Sequence, residues 1–127
     1  MPLENYRKEL EKSCIGGEGI PDIIKEVPAI FDTLGNLIKD EDLSSEHRKI
    51  VFCAIGYFFI PDDLFPEEIH GQIGYIDDVL LALCIFEIIQ SDHLGRQSLI
   101  KSWCLNDDLE VILNKELPKL KKEFSIF

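Results

Sequence analysis

The sequence predicts an all-α fold, a single-domain helical bundle built around a central hydrophobic helical hairpin. Apolar residues recur at helical spacing through most of the 127 residues, and no stretch alternates between apolar and polar residues as a half-buried strand does. Two segments, near 46–59 and 75–90, are apolar on nearly every face, a pattern typical of helices that other helices surround. We therefore expect one domain, 1–127, of about six or seven helices, with these two segments antiparallel at its centre.

The first third of the chain contains two helical patterns separated by glycine and proline. The run from Gly16 to Gly19 ends the first pattern. Pro21 suits a first helical position, and Pro28 breaks or restarts the segment. The apolar stripes of the two patterns are Leu3, Tyr6, Leu10 and Cys14, then Val27, Ile30, Phe31, Leu34, Leu37 and Ile38.

Capping residues indicate where the later helices begin. Ser44 or Ser45 is suited to cap the first central helix, and Asp92 is suited to cap a short helix after the second one. Asn106 or Asp107 is suited to cap the last helix. The apolar stripe of that last helix is Leu109, Ile112, Leu113, Leu117, Leu120 and Phe124.

The net charge of −11 is concentrated in the middle of the chain. Residues 40–92 carry 12 acids against only Arg48 and Lys49, a net charge of −10. Nucleic-acid binders need clustered Lys and Arg, so we expect no nucleic acid as partner. Such a field attracts cations or a basic protein surface instead, although a solubilising surface would also explain it.

The cysteines and the hydropathy pattern predict a cytoplasmic protein. Cys14, Cys53, Cys84 and Cys104 form no C-x-x-C pair, and we interpret them as reduced thiols in the core. The N-terminus is charged and lacks the apolar region of a signal peptide. The longest uncharged run, 50–61, has 12 residues, fewer than the roughly 20 that a membrane-spanning helix needs. We expect no membrane span.

The most informative segment is an acidic, proline- and glycine-bearing loop between the two central helices. Between Pro61 and Asp78 there are six carboxylates and one histidine, with no Lys or Arg. An antiparallel hairpin brings both ends of this loop together, so we expect its acids to lie close to one another. The candidate partner-binding residues are Asp62, Asp63, Glu67, Glu68, His70, Asp77 and Asp78.

Converging carboxylates have two further interpretations. With an imidazole beside them, they are ligands suited to Mg²⁺, Mn²⁺ or Ca²⁺, and the candidate metal ligands are Asp63, Asp77 and Asp78. Acids in a first helical turn also cap free N–H groups and complement the helix dipole without any metal. The spacing matches neither an EF-hand loop nor H-E-x-x-H.

The same segment contains two motifs, Pro61-x-Asp63-Leu64-x-Pro66 and Gly74-Tyr75-Ile76-Asp77-Asp78. Together they resemble the signature of the YkvA-like proteins, small helical domains of unknown function. The resemblance covers about 52–89, and it implies a helical hairpin and points to Asp63, Asp77 and Asp78 as the acids of interest. It implies no activity.

Because the sequence contains no catalytic motif, we expect a protein that is not an enzyme and carries no cofactor. We interpret it as an acidic protein-binding module, an inhibitor of immunity or antitoxin type that docks a basic partner such as a toxin nuclease. The alternative is a divalent-metal-binding domain with its carboxylates in the 61–78 loop, serving hydrolysis or sensing.

Overall fold

The computed structural model describes residues 3–58 and 74–124, and within these ranges every regular element is helical and no strand occurs. The all-α fold is thereby confirmed. The helices are α1 (Leu3–Ser13), α2 (Val27–Lys39), α3 (Ser45–Phe58), α4 (Ile76–Ile89), α5 (His93–Ser102) and α6 (109–124). A 3₁₀-helix, Asp22–Glu26, leads into α2. The last helix consists of Leu109–Val111, a π-helical segment Ile112–Glu116, and Leu117–Phe124.

Local signals in the sequence place most helix ends correctly. The loop after α1 contains Gly16 and Gly19 with φ of 81° and 79°, a backbone conformation that glycine adopts without strain. Ser44 caps α3, since its hydroxyl accepts a hydrogen bond from the backbone N–H of His47 at 3.1 Å. Asp92 caps α5 by accepting from the N–H of Gly95 at 2.6 Å.

The start of α6 differs from the sequence-based expectation. The residue that precedes this helix is Asp108, and its side chain makes no capping hydrogen bond. The expected caps, Asn106 and Asp107, lie earlier in the loop, where the carbonyl of Asp107 accepts from the indole N–H of Trp103 at 2.8 Å. In addition, the side chain of Glu26 accepts a hydrogen bond from the N–H of Asn106 at 3.2 Å. These two hydrogen bonds, and no side-chain cap, fix the loop before α6.

Helix α4 lies at the centre of the bundle and packs against α2, α3, α5 and α6. Its side chains are buried over most of its surface, as its apolar sequence predicts, and exposure is confined to one side, where Leu81 and Cys84 are half-buried and Glu87 and Ile88 are exposed. The residues of α4 without any exposure are Ile76, Val79, Leu80, Ala82, Leu83, Phe86 and Ile89. Nearly every other described element thus buries part of its apolar surface against this one helix.

Helix α3 is antiparallel to α4. The imidazole Nε2 of His47, at the start of α3, lies 3.7 Å from the carboxylate of Asp92, just beyond the end of α4. However, the prediction that α3 is also surrounded is wrong. Its buried residues are Val51, Ala54 and Phe58, whereas Phe52 is 55% exposed and Cys53 and Gly56 are exposed. The reason is that α3 packs mainly on α2 and α4, which leaves its outer face uncovered.

The cysteines are less buried than the sequence suggests. Only Cys14 lies in the core, whereas Cys84 is half-buried and Cys53 and Cys104 are exposed. Burial raises the pKa of the Cys84 thiol. All four side chains remain thiols, so the expected absence of disulfides holds, but the expected core position holds for Cys14 alone.

Truncation of the central helix tests this arrangement. Phe86→Ala should destabilise the protein by about 3–5 kcal/mol, because it leaves a cavity in the fully buried centre of α4. Ile88, in the same helix, is 51% exposed, and Ile88→Ala should change stability by no more than about 1 kcal/mol. Urea unfolding of both variants provides the comparison, and equal losses of stability would contradict a buried α4.

Candidate functional site

The candidate site predicted from the sequence lies largely outside the described residues. Five of its seven members fall within 59–73, namely Asp62, Asp63, Glu67, Glu68 and His70. The predicted proximity of Asp63 to Asp77 or Asp78 therefore stays a prediction. The described part of the site is its C-terminal end, the first turn of α4.

Asp77 and Asp78 are nearly inaccessible to solvent. They are 1% and 2% exposed, and both lie in the first turn of α4, after Tyr75 at the N-cap position. Carboxylates in this turn are stabilised by the positive end of the helix dipole, and the Tyr75 side chain makes no capping hydrogen bond. The two acids thus lie under the surface at the base of the acidic loop, where they complement the start of the buried helix.

Both ends of the 59–73 segment are fixed in the core. At one end, Phe58 is 3% exposed, and its carbonyl accepts a hydrogen bond from the hydroxyl of Tyr6 at 2.8 Å. The Phe58 ring packs edge-on against Phe31 with centroids 5.5 Å apart. At the other end, Tyr75 and Ile76 are buried. Because α3 and α4 are antiparallel, these two anchors lie at the same end of the bundle, which we call the loop end.

A second group of acids lies at the opposite end of the hairpin, which we call the α2–α3 end. The ammonium of Lys101 contacts Asp40 at 3.1 Å and Asp42 at 3.5 Å. Arg48 donates to the backbone carbonyl of Asp40. Asp92 lies at this end too, beside His47, so the acids here are already in contact with cationic or titratable groups of the same chain.

Asp40 is the buried member of this group, with its side chain only 5% exposed. Burial by itself raises the pKa of Asp40. The hydrogen bonds from the backbone N–H of Asp42 and from Lys101 outweigh burial and hold the pKa below its ordinary value. Folding therefore favours the charged form of Asp40, and this carboxylate is a structural element of the α2–α3 end.

The two acidic ends are electrostatically separate. Helix α3 has 14 residues and is about 21 Å long at 1.5 Å per residue. This length is about twice the Debye length of roughly 8–10 Å at moderate salt. The described acids at the start of α4 and those at the α2–α3 end are therefore separate in space, and a ligand at one end feels little of the field from the other.

Sequence reasoning missed an apolar groove between α1, α2 and α3, which we call the α1–α3 groove. Its volume is about 780 Å³. Apolar side chains line it, and charged side chains surround its rim. The apolar lining includes Phe31, Ile38, Phe52 and Ile55, and the rim includes Glu4, Arg7, Lys8, Glu11, Asp32 and Lys39. The feature of the sequence that could have indicated this groove is the apolar pattern of α3, which includes Phe52 on the outer face of the helix.

The described residues contain neither a metal-binding cluster nor a membrane-spanning helix. Within 3–58 and 74–124, no three or more His, Cys, Asp or Glu side chains are grouped so that they could hold a metal ion. None of the described helices has the length and apolar character needed to cross a membrane.

Comparisons with known proteins relate the chain to proteins without an assigned activity. Residues 47–84 match a family model described as a protein of unknown function (DUF1232). This match spans α3, the acidic loop and the first part of α4. The chain is also 32% identical over 129 residues to the uncharacterized protein ORF9 of Methanothermobacter thermautotrophicus, covering 96% of this chain and 81% of that protein. No solved structure matches the chain.

The titration of Asp40 predicts a pH-dependent stability. Because folding lowers the pKa of this group, its stabilising contribution is complete above the unfolded-state pKa of about 3.9 and is lost as the pH falls through the lower folded-state value. Asp40→Asn should therefore cost about 1–2 kcal/mol at pH 7, as expected for a charge-assisted hydrogen bond. This cost should shrink below about pH 4.

Urea midpoints between pH 7 and pH 3 provide the measurement. Asp42→Asn is the matched control, because the Asp42 side chain is 78% exposed and its removal should have little effect at any pH. A cost of Asp40→Asn that stayed constant across the whole range would show that its charge does not contribute.

Proposed function

The chain belongs to the family of the uncharacterized protein ORF9, from which no activity can be transferred, and we propose from its own residues that it is a non-enzymatic acidic protein-binding module. In this proposal the loop end, residues 61–78, docks a basic protein. The proposed type is an inhibitor of immunity or antitoxin kind whose partner is a toxin such as a nuclease. A cytoplasmic location accompanies this role.

The observation that carries the proposal is the concentration of six carboxylates in 61–78 without any Lys or Arg. Phe58 and Tyr75, on either side of the 59–73 segment, are both buried and lie at the same end of the bundle. In this proposal the acids of 61–78 act on a partner as a single negative surface. A complementary positive surface would be attracted to it and oriented by it.

The ion pairs within the chain support the same assignment. Arg7 pairs with Asp32 at 2.8 Å and also with Glu11, and Arg96 pairs with Glu110. Lys101 pairs with Asp40 and Asp42. Lys121 pairs with Glu87 at 3.8 Å. In the described part of the chain, each of these cations pairs with acids outside 61–78.

The choice of partner follows from the chemistry of carboxylates. The active site of a nuclease is cationic because it binds phosphates, and a row of carboxylates can occupy the same positions. A domain of 14.6 kDa is large enough to cover such a site with an interface of standard size. Asp77 and Asp78 would contribute indirectly, by ordering the C-terminal end of the loop segment. The other five candidate residues would contact the partner directly.

Charge reversal tests the docking surface. A tagged chain is used to capture basic proteins at low salt, and the captured protein is identified and assayed for nuclease activity with and without the chain. Asp62→Lys combined with Glu68→Lys should then slow association by about tenfold or more, with a smaller effect on dissociation, because peripheral charges act mainly on the encounter. Surface plasmon resonance measures both rates.

The α2–α3 end offers a control with the same change in net charge. Glu41→Lys combined with Glu46→Lys reverses two exposed acids about 21 Å from the loop end. This variant should associate at nearly the unmodified rate. Equal slowing by the two double variants would mean that total charge, and not the 61–78 surface, governs binding.

The burial of Asp77 and Asp78 favours a second candidate function, divalent-metal binding with Asp63. Two adjacent carboxylates at 1% and 2% exposure are costly to desolvate, and a cation would offset that cost. Mg²⁺, Mn²⁺ or Ca²⁺ would then raise the melting temperature, and a chelator would reverse the increase. Asp77→Asn should abolish the increase, whereas Asp42→Asn should not. An unchanged melting temperature with all three ions would exclude this candidate.

A further inference from the structure

We propose that the α1–α3 groove is an interface through which two copies of this chain form a two-fold symmetric dimer. None of the described residues that line the groove belongs to 61–78, so this inference does not depend on the proposed basic partner. It rests on an exposed aromatic side chain, two glycines against which no described atom packs, and the charge balance of the groove rim.

The exposed aromatic side chain is Phe52 of α3. It is 55% exposed at the edge of the groove, beside the partly buried Ile38 and Ile55. Covering a large apolar side chain contributes about 1.5–3 kcal/mol, and contiguous apolar surface of this kind marks interaction sites. The groove volume of about 780 Å³ has room for several side chains of a partner.

Two glycines beside the groove point to close approach by another molecule. Gly35 lies within α2 and Gly56 within α3, and a Cβ atom added at either would meet no described atom within 4 Å. Glycine inside a helix costs about 1 kcal/mol relative to alanine. Since packing among the described residues does not require either glycine, an outside surface that comes close to both helices accounts for them.

The rim of the groove is electrically balanced in an otherwise strongly acidic chain. Its six charged side chains are three acids and three bases, whereas the whole chain has a net charge of −11. Several rim charges are paired with each other, since Arg7 holds Asp32 through two hydrogen bonds at 2.8 and 3.1 Å and also contacts Glu11.

Charge balance also selects a second copy over a charged partner. A strongly basic or acidic protein would find no complementary field at this rim. A second copy carries the same mixed rim, so two copies can meet there without the repulsion that two acidic surfaces would have. Phe52 and the hollow of the groove are adjacent on one surface, so a two-fold axis lets each copy insert its Phe52 into the groove of the other.

The experiment measures mass against concentration by analytical ultracentrifugation. The unmodified chain should approach twice its 14.6 kDa mass as concentration rises. Phe52→Glu should weaken dimerisation by roughly 30-fold or more, the effect of an interface hot spot. Ile100→Glu is the matched control, because Ile100 is 54% exposed on α5, away from the groove, and it should leave the dimer intact.

A second variant separates the interface from the fold. A Cβ atom at position 56 meets no described atom within 4 Å, and the position is exposed, so the urea midpoint of Gly56→Gln should be equal to or above that of the unmodified chain, while dimerisation is lost. Cys53, exposed beside Phe52, should also be cross-linked to its symmetry mate by a short bis-maleimide, and Cys53→Ser should remove that product.

Two results would overturn the proposal. One is a monomer at every concentration, which would leave the groove to a different partner. The other is a dimer that survives Phe52→Glu and Gly56→Gln but is weakened by Ile100→Glu, which would place the interface on α5.

Discussion

The burial of α4 is the constraint on which the rest of the structure depends. A helix such as Ile76–Ile89, with apolar side chains on all sides, is stable in water only when other elements cover most of its surface. The packing of α2, α3, α5 and α6 against it provides this cover and leaves exposed only the side that carries Glu87 and Ile88. It also forces the first turn of α4 inward, and this is why Asp77 and Asp78 are buried although they are charged residues.

The same constraint divides the charge of the molecule. Because α3 runs antiparallel to α4, the acids that precede α3 and the acids in the first turn of α4, Asp77 and Asp78, lie at opposite ends of the hairpin. At the α2–α3 end, Asp40 is satisfied by Lys101 and by the N–H of Asp42, and its carboxylate contributes to stability. At the loop end, the 61–78 segment contains no base of its own. The carboxylate of Asp40 thus has a structural role, and the docking role that we propose for the loop end rests on this difference.

Local chemistry in the sequence predicts much of the fold. The capping roles of Ser44 and Asp92, the glycine loop after α1 and the central position of α4 are each determined by a few neighbouring residues, and each is confirmed. The error at α3 has a physical cause. A helix that is apolar all round needs to be covered, but its sequence does not say by how many elements, and in this bundle one face of α3 stays uncovered at Phe52 and Gly56. Cys53 was placed in the core for the same reason.

The two candidate surfaces differ in how well the sequence alone could predict them. The acidic loop was visible because its residues are consecutive, so composition alone identified it. The α1–α3 groove could not be identified in this way, because its side chains come from three different helices. They are spread from Glu4 to Ile55, and Cys104 also contributes. No local pattern links such distant positions. The balance between its acids and bases becomes apparent only when the three helices are packed together.

Amide hydrogen exchange, with the chain alone and with its captured basic partner, tests the central claim most directly. The account predicts that amides in the middle of α4 exchange only through global unfolding in both samples, and that the partner adds protection within 59–78 alone. Fast exchange in α4 through local opening would contradict its role as the buried centre. Added protection at 41–46, or in α1 and α6 with 59–78 unchanged, would contradict the assignment of the loop end as the docking surface.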